Sequence, residues 1–505
     1  MSARRRLLAL AVAAALAGGC GPRHGPASAA ARGGEAGAGG STAAGAGSAA
    51  KSDRAKDPAS PEAALEEKLA RKPAEAGWAA TDADRRAAIA AFAEDYRHYI
   101  ADAKTTRRAV AGVTALVRAA GALPLPAKGA KPTPGARYWL GARGKDLAVL
   151  VVGDAPPSAG LDVVAAPLDA PRLDLKPEPG FRKEGFLMLE THLRGEIDLK
   201  MWLSTPLSLF AWVDRPGKAP LDVAIGERPD DPVLVVPDLL PHLARKVQAK
   251  IIIDAERMDA VAGMAADVTE DDVKDDAALA KLLAPWGVTG ADFAVGEITL
   301  VPASAPTYVG VDRALLAAYG QAFAAQGYAA ARAVLEAKRP PRSVLVLLLD
   351  GAAMGADGDG DTGEFFVRHA VSAALAAFTD DGAPSELDVR RTLAASHALV
   401  ATNVGGGVNG GLVLNPRFDD ADPEMVRELL RALDAAKVPY QFPETGPDGW
   451  SYSPSRRLST TGMKSLDVGL PIADRGAPLE VLSVLDLFTA YRAYAAFYAR
   501  APETK

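Results

Sequence analysis

Apolar residues recur every three to four positions near the start of the folded body. At this spacing Ile89, Phe92, Tyr96 and Tyr99 fall on one face of a helix, and Asp82 stands just before it as a capping residue. A helix with this pattern buries its apolar face against a core and exposes the charged residues between. The pattern therefore predicts an amphipathic helix that opens a globular domain.

Strand-length apolar runs alternate with helical patterns through much of the remaining chain. The runs that predict buried strands are at 147–152, 161–166, 343–349 and 398–402. The predicted helices begin at Leu315 and Phe365 or cover 425–435 and 479–498. Strands that alternate with helices indicate an α/β fold: a mixed, mostly parallel sheet with helices on both faces.

A β-rich block interrupts this alternation. Its short apolar runs, at 186–191, 202–213, 221–225, 233–236, 250–254 and 293–301, are divided by proline, glycine and charged turns. An inserted domain accounts for such a change of pattern inside one fold. We therefore expect an α/β domain over 76–177 and 306–505, interrupted by a β-rich insert over 178–305.

The first residues are typical of a targeting segment. Three arginines precede a short apolar run, and small residues lead to Cys20, which resembles a bacterial lipobox. We expect a signal peptide over 1–19, a lipid on Cys20 and a Gly/Ala/Ser/Pro-rich tether over 20–75. The alternative is a plain secretory signal with an incidental cysteine. The sequence thus predicts a lipid-anchored protein of the bacterial cell envelope.

Composition narrows the candidate chemistry. The chain has 505 residues and a formal net charge of −6, which argues against a basic nucleic-acid-binding protein. Cys20 is the single cysteine, so intramolecular disulfides and cysteine-based zinc clusters are excluded. The six histidines leave a metal or catalytic site open.

Two local motifs are weak. The segment 405–410 satisfies the GxGxxG pattern, but extended chain follows it where a dinucleotide site needs a helix. Asp357, Asp359 and Asp361 have calcium-loop spacing without the final glutamate of an EF-hand loop. We interpret the first as a glycine-rich loop and the second as a solvated loop, and leave cation binding by the second open.

Ordered sequence boxes resemble one family. The run 164–177 resembles the "HTDSPRLDLKP" box of the aspartyl-aminopeptidase family of dinuclear zinc peptidases. Further boxes in the family's order lie at 191–207, 237–243, 311–321, 350–355, 438–441 and 466–471. The resemblance implies a catalytic α/β domain, two zinc ions, and an insert that mediates dimer contacts and larger homo-oligomeric assembly.

The resemblance also places the family's metal site, residue by residue. We define the family ligand positions as Pro167, Ala322, Ala353, Asn403 and Gly476, which stand where the family has His, Asp, Glu, Asp and His. Ala352 stands at the general base, and Asp169 keeps the carboxylate that orients the first histidine. Among these ligand positions only Asn403 keeps a donor oxygen. We therefore expect no catalytic residues, no metal ligands and no cofactor.

Two functions follow from this comparison. The first is a catalytically inactive aminopeptidase homologue, tethered to the membrane, with a scaffold or peptide-binding role. The alternative is an active metallo-aminopeptidase that removes N-terminal acidic residues with relocated ligands, for which the acidic residues near Asp350 are the candidates. The first is the prediction, and whether any peptidase activity remains is left open.

Overall fold

The structure is a computed structural model. It describes residues 81–183, 185–238, 258–264, 277–350, 361–380, 383–402, 405–416, 421–443 and 458–501, without the side chains of 361–364. The chain divides into two compact units, 1–58 and 59–505, and every described residue belongs to the second. The expected signal peptide, tether and Cys20 lie outside the described residues, as do Ala352, Ala353, Asn403 and the loop from Asp357.

The strands and helices are numbered here in chain order. The strands are β1 Leu123–Pro124, β2 Arg137–Ala142, β3 Asp146–Val151, β4 Leu161–Pro167, β5 Arg172–Lys183, β6 Phe186–Arg194, β7 Pro206–Val213, β8 Leu221–Ile225, β9 Leu234–Val235, β10 Ala260–Gly263, β11 Glu297–Pro302, β12 Thr307–Val309, β13 Leu315–Ala318, β14 Ser343–Leu349, β15 His397–Thr402, β16 Leu412–Asn415, β17 Tyr440–Gln441, β18 Lys464–Gly469, β19 Ile472–Ala473 and β20 Glu480–Ser483. The helices are α1 Ala83–Asp102, α2 Thr106–Ala119, α3 Leu199–Trp202, α4 Ala277–Leu283, α5 Gly290–Val295, α6 Gln321–Glu336, α7 Asp361–Ala377, α8 Glu386–Ala394, α9 Pro423–Ala435 and α10 Val484–Ala499. Of these described helices, none has the length and apolar character needed to cross a membrane.

The main sheet confirms the predicted α/β class. In the described part of the chain it has nine strands in the order β1-β2-β3-β14-β4-β15-β18-β16-β17. The central strands β14, β4, β15 and β18 are parallel, and β3 joins β14 antiparallel. Their continuous apolar sequences fit strands that are buried on both faces.

Helices cover both faces of this sheet. Alternate side chains of β4 and β14 point into two separate cores, because successive residues of a strand face opposite sides. One core is closed by α1, α2, α6, α9 and α10, and the other by α7 and α8. The predicted face of α1 is buried, and Tyr328 of α6 packs its ring 5.6 Å from Phe92 and 5.3 Å from Tyr96, centroid to centroid.

The β-rich region forms a second sheet. Its seven described strands run β11-β5-β6-β10-β9-β7-β8, and β11 also pairs with β7, so the sheet closes on itself. These strands come from residues 172–302, whereas the expected insert spans 178–305. The boundary differs because β5, which begins at Arg172 inside the sequence box at 164–177, is one continuous strand of the second sheet.

Several predicted elements differ from the structure. The strand expected over 202–213 begins at Pro206, because Trp202 ends helix α3, and the strand expected over 250–254 lies outside the described residues. The helix expected from Leu315 begins at Gln321, because 315–318 pairs as β13 with β20, and Gly320 (φ 75°) turns the chain into the helix. The helix expected over 479–498 begins only at Val484, after β20. The strand expected over 293–301 begins at Glu297, because a capping box formed by Thr289 and Asp292 starts helix α5 instead.

Candidate functional site

Three parallel strands of the main sheet end together at its carboxyl edge. Strand β4 ends at Pro167, and its parallel neighbour β14 ends beside it, with Leu349 in register with Pro167. On the other side of β4, β15 ends at Thr402. The carboxyl ends of parallel strands share one edge, where α/β folds place their ligands. Residues 352, 353 and 403 follow these strand ends and lie outside the described residues.

Helix α6 brings its first residues to the same edge. Gln326 donates from Nε2 to the carbonyl of Thr402 at 2.9 Å. Gly327 lies against β4 so closely that an added Cβ would be 2.9 Å from Leu168 Cδ2. At the start of the helix, Ala322 and its neighbour Phe323 pack against Ala170, in the loop after β4, and Ile472 of β19. The position where the resemblance places a bridging aspartate is thus occupied by a buried methyl group.

A buried glutamate joins two family ligand positions. Glu480 accepts a hydrogen bond from the backbone N–H of Ala322 at 2.7 Å and another from that of Gly476 at 3.0 Å. Burial raises the pKa of Glu480 to about 7, although the two backbone donors act to lower it. One carboxylate therefore fixes the start of α6 to the loop before β20.

Backbone conformation fixes Gly476 in that loop. Its φ is +79°, in the left-handed region, and an added Cβ would lie 3.1 Å from the carbonyl oxygen of Glu196. Its own carbonyl accepts from Trp202 Nε1 at 2.9 Å and from the backbone N–H of Asp198 at 3.1 Å. The segment around α3 therefore leaves little room for a side chain at position 476.

Asp169 is fully buried just beyond β4. Burial alone would lower the pKa of Arg172, but the nearby carboxylates of Asp174 and Asp169 raise it overall. The structure therefore places a guanidinium in the electrostatic environment of Asp169, where the resemblance led us to look for a histidine.

The donor groups at this edge do not fit the zinc pair that the resemblance implies. Dinuclear sites need a bridging carboxylate and terminal nitrogen or oxygen ligands. Pro167, Ala322 and Gly476 carry no donor atom in their side chains. Throughout the part of the chain that the structure describes, no three His, Cys, Asp or Glu side chains are grouped so that they could hold a metal ion.

The described histidines lie elsewhere. His397 begins β15, at the opposite edge of the sheet, where Arg500 Nη2 lies 2.7 Å from its Nδ1. Burial and the nearby arginines lower its pKa to about 3, so this ring is neutral at physiological pH. His98 is exposed on α1, His369 stacks on Phe365 in α7, and His192 is exposed on β6.

Sequence reasoning missed Glu480 and the role of the loop before β20. The sequence did offer one signal, since Glu480 is the only acidic residue in the stretch 475–481, which surrounds Gly476 and is part of the resemblance. Its partners are backbone N–H groups, which carry no mark in a sequence, so its contacts could not be inferred from side chains.

Known relatives share this architecture over most of their length. The Thermotoga maritima protein named Probable M18 family aminopeptidase 1 is 30% identical over 436 residues, covering 80% of this chain and 95% of that protein. The crystal structure of an M18 family aminopeptidase from Thermotoga maritima matches with a TM-score of 0.75 and 27% identity, over 84% of this chain and 98% of that one. The mApe1 dodecamer of Saccharomyces cerevisiae has a TM-score of 0.64 at 17% identity, over 81% of this chain and 96% of that one, and shows the fold alone.

The expectation of no cofactor is wrong. The matching family model is described as Aminopeptidase I zinc metalloprotease (M18), and zinc is therefore the cofactor that the family implies. The expectation considered side chains at the family ligand positions only, whereas zinc accepts nitrogen, oxygen or sulfur ligands from any part of a chain. Pro167, Ala322 and Gly476 have no side-chain donor, and this does not decide whether the protein takes zinc.

The family match is extensive. It covers residues 99–391, more than half of the 505-residue chain, from the end of α1 into α8 and through the whole β-rich region. The relatives named above cover the same sheet, insert and flanking helices. By these matches, the chain belongs to the M18 family of aminopeptidases.

Proposed function

We propose that this M18 member is a catalytically inactive homologue that keeps the aminopeptidase fold for a scaffold or peptide-binding role. The observation that carries the proposal is that Ala322 and Gly476, which Glu480 brings together through their backbone N–H groups, have no donor atom in their side chains. A family site would present a bridging aspartate and a histidine at these two positions. Here the two positions have a methyl group and a hydrogen atom.

Two further features support lost catalysis. Pro167, at the end of β4, offers neither a side-chain donor nor a backbone N–H. The left-handed turn at Gly476 disfavours any larger side chain there. Two-metal hydrolysis needs ligands that hold both ions at a fixed separation, and a base that activates water. The sequence has Ala352 and Ala353 at the positions where the family has its general base and a ligand glutamate.

A second candidate is an active metallo-aminopeptidase with relocated ligands. Family membership favours it, because the family is described as zinc metalloproteases. Its zinc would be held by side chains other than those at 167, 322 and 476. Preference for N-terminal acidic residues, which marks the aspartyl branch, is part of this candidate.

We further propose a lipid anchor on Cys20, a location in the bacterial cell envelope and a homo-oligomeric state. The first two rest on the basic, apolar and small residues that precede the cysteine. The third rests on the likeness to a dodecameric M18 structure from yeast. Mass spectrometry of the membrane-extracted protein tests the lipid, and light scattering tests the oligomer.

The deciding experiment is an aminopeptidase assay on the purified full-length protein with zinc supplied. Peptides with N-terminal Asp, Glu, Leu or Ala are incubated with it, and the Thermotoga maritima relative is assayed in parallel. Zinc content is measured on the same sample, so that inactivity caused by missing metal is not mistaken for lost catalysis. We expect no amino-acid release above a heat-denatured control. Release by the zinc-loaded protein would establish the second candidate.

A further inference from the structure

Two chain crossings join the second sheet to the main α/β domain, and both lie at the same end of that sheet. The chain enters through 168–171, before β5, and leaves through 303–306, after β11. The start of β5 pairs antiparallel with the end of β11, so both crossings lie near Pro302. We call this the pivot end. The far end, where β11 begins at Glu297, is about 17 Å away along the strand and is reached by neither crossing.

Two buried contacts hold the pivot end to the main domain. Lys104, which lies between α1 and α2, donates to the carbonyl of Pro302 at 3.0 Å and to Glu227 at 2.8 Å. Trp202, just before β7, donates to the carbonyl of Gly476 at 2.9 Å, and the start of β7 lies opposite the end of β11. Both side chains are buried. The pivot end is therefore fixed by covalent and buried contacts together.

The far end presents one row of side chains to α2. Glu297 of β11, Trp212 of β7 and Asp222 of β8 are directly opposite one another across three strands, so they share one face. Arg107 donates to Glu297 through Nε and Nη2, each at 2.8 Å, and its guanidinium lies 3.5 Å from the ring centroid of Trp212. Arg108 Nη2 lies 2.8 Å from Asp222 Oδ1. The row therefore rests on two arginines of α2.

The charges at the far end are balanced. Lys145 Nζ, in the loop before β3, lies 2.9 Å from Glu297 and 3.9 Å from Asp350, which follows β14. The main domain thus supplies three cations, and the carboxylates of Glu297, Asp222 and Asp350 match them. Burial raises the pKa of Glu297, but Arg107 and Lys145 outweigh burial and lower it overall. These cations therefore serve to hold the sheet against α2.

Solvent reaches the ion pairs of the far end but not the one at the pivot end. A cleft of about 270 Å³ lies between α2 and the sheet. The side chains of Glu297 and Asp222 are 44% and 52% exposed, whereas that of Lys104 is 2% exposed. Exposed ion pairs are weak and are screened by salt, and buried pairs are screened much less. Added salt therefore weakens the far end and spares the pivot end.

We propose that the second sheet tilts away from α2 as ionic strength rises, turning about its pivot end and opening the cleft. The motion also acts on the main sheet through Lys145. When Glu297 withdraws, the remaining partner of Lys145 is Asp350, which accepts from Thr106 Oγ1 at 3.1 Å. Asp350 follows β14 at the carboxyl edge, so opening of the cleft changes the contacts at that edge. The proposal does not depend on whether the protein hydrolyses peptides.

The test is hydroxyl-radical footprinting of the full-length protein, with oxidation measured by mass spectrometry at two tryptophans. Trp212 is partly buried at the far end, and Trp202 is buried at the pivot end. The ratio of their oxidation rates cancels any effect of salt on the radical. We expect the ratio of Trp212 to Trp202 to rise about twofold from low salt to about 0.5 M NaCl, because the Debye length shortens. A ratio that salt does not change, whether both rates rise or neither does, would overturn the proposal.

A matched pair of variants locates the effect. Glu297→Gln keeps the size of the side chain and removes its charge, so the ratio at low salt should reach the high-salt value and rise little further. Glu386→Gln is the control, because Glu386 of α8 is likewise shared between two arginines, Arg368 and Arg390. It should behave as the wild type. An unchanged Trp202 rate shows that each variant is folded. A low-salt ratio that is unchanged in Glu297→Gln, or raised equally in Glu386→Gln, would contradict the proposal.

Discussion

Two buried carboxylates at opposite edges of the main sheet have different partners. At the amino edge, Asp162 of β4 accepts from both terminal nitrogens of Arg500, each at 2.9 Å, and Arg342 Nε lies 3.3 Å away. Near the carboxyl edge, Glu480 of β20 accepts from two backbone N–H groups. Asp162 pairs with charged groups, and Glu480 is hydrogen-bonded by neutral donors.

The two carboxylates differ in the energetic cost of their partners. Burial raises the pKa of Asp162, although Arg500 and Arg342 act to lower it, so the ion pair carries a large desolvation cost. Such a pair contributes little net stability when intact but is costly to break from one side. The hydrogen bonds of Glu480 to Ala322 and Gly476 join two segments without a second buried charge.

The largest effect is expected at the amino edge. Asp162→Ala should lower the free energy of unfolding by about 3–5 kcal/mol, because it removes the carboxylate that accepts from both terminal nitrogens of buried Arg500 and leaves only Glu428, 3.6 Å from its Nε. Urea unfolding measures this change. Asp95→Ala, which breaks an exposed pair with Arg332, should cost less than about 1 kcal/mol. Equal costs for the two variants would remove the contrast between buried and exposed pairs.

Glu480→Ala should come next, with a loss of about 2–4 kcal/mol, because two buried N–H groups lose their acceptor. Glu480→Gln keeps the volume and one acceptor oxygen, so it should lose roughly half as much. Both are measured by urea unfolding at neutral pH. If both variants are as stable as the wild type, the carboxylate does not fix the start of α6 to the loop.

Gly476→Ala should cost about 1–3 kcal/mol, because a side chain meets both the left-handed backbone and the chain at Glu196. Gly121→Ala is the matched control: it has the same φ of +79° and nothing within 4 Å of its added Cβ. Thermal unfolding of the two variants separates contact from backbone strain. A cost at Gly476 no greater than at Gly121 would show that the loop has room for a side chain.

The smallest expected effect is a change in how the free energy of unfolding depends on pH. Burial raises the pKa of Asp486 to about 7, against the two backbone N–H groups of Asn409 and Gly411 that it accepts from. The folded state then binds more protons than the unfolded state between the unfolded value of 3.8 and about 7, so stability falls as pH rises through that window. Asp486→Asn should reduce this slope in urea unfolding. Glu480, whose pKa is also raised to about 7, contributes to the slope in the same direction. An unchanged slope in Asp486→Asn would contradict the assignment of this slope to Asp486.

Periodicity was enough to predict the α/β core. The spacing of Ile89 to Tyr99 and the apolar runs of β4, β14 and β15 depend on burial, which side chains report directly. The closure of the second sheet and the strand at 315–318 depend on pairing with distant segments, which local propensity does not record.

The candidate site depends on the resemblance alone. Pro167, Ala322 and Gly476 were located through the residues around them, and the structure joins Ala322 and Gly476 through Glu480. The contacts of Glu480 could not be predicted in this way, because its partners are backbone N–H groups brought together by tertiary structure.

The most direct test of the central claim is amino-acid release from peptides by the zinc-loaded full-length protein. The account predicts release no faster than in a heat-denatured control, with the Thermotoga maritima relative assayed under the same conditions. Release well above that control, abolished by a chelator and restored by zinc, would contradict it and would show that the protein is an active M18 aminopeptidase whose ligands lie outside positions 167, 322 and 476.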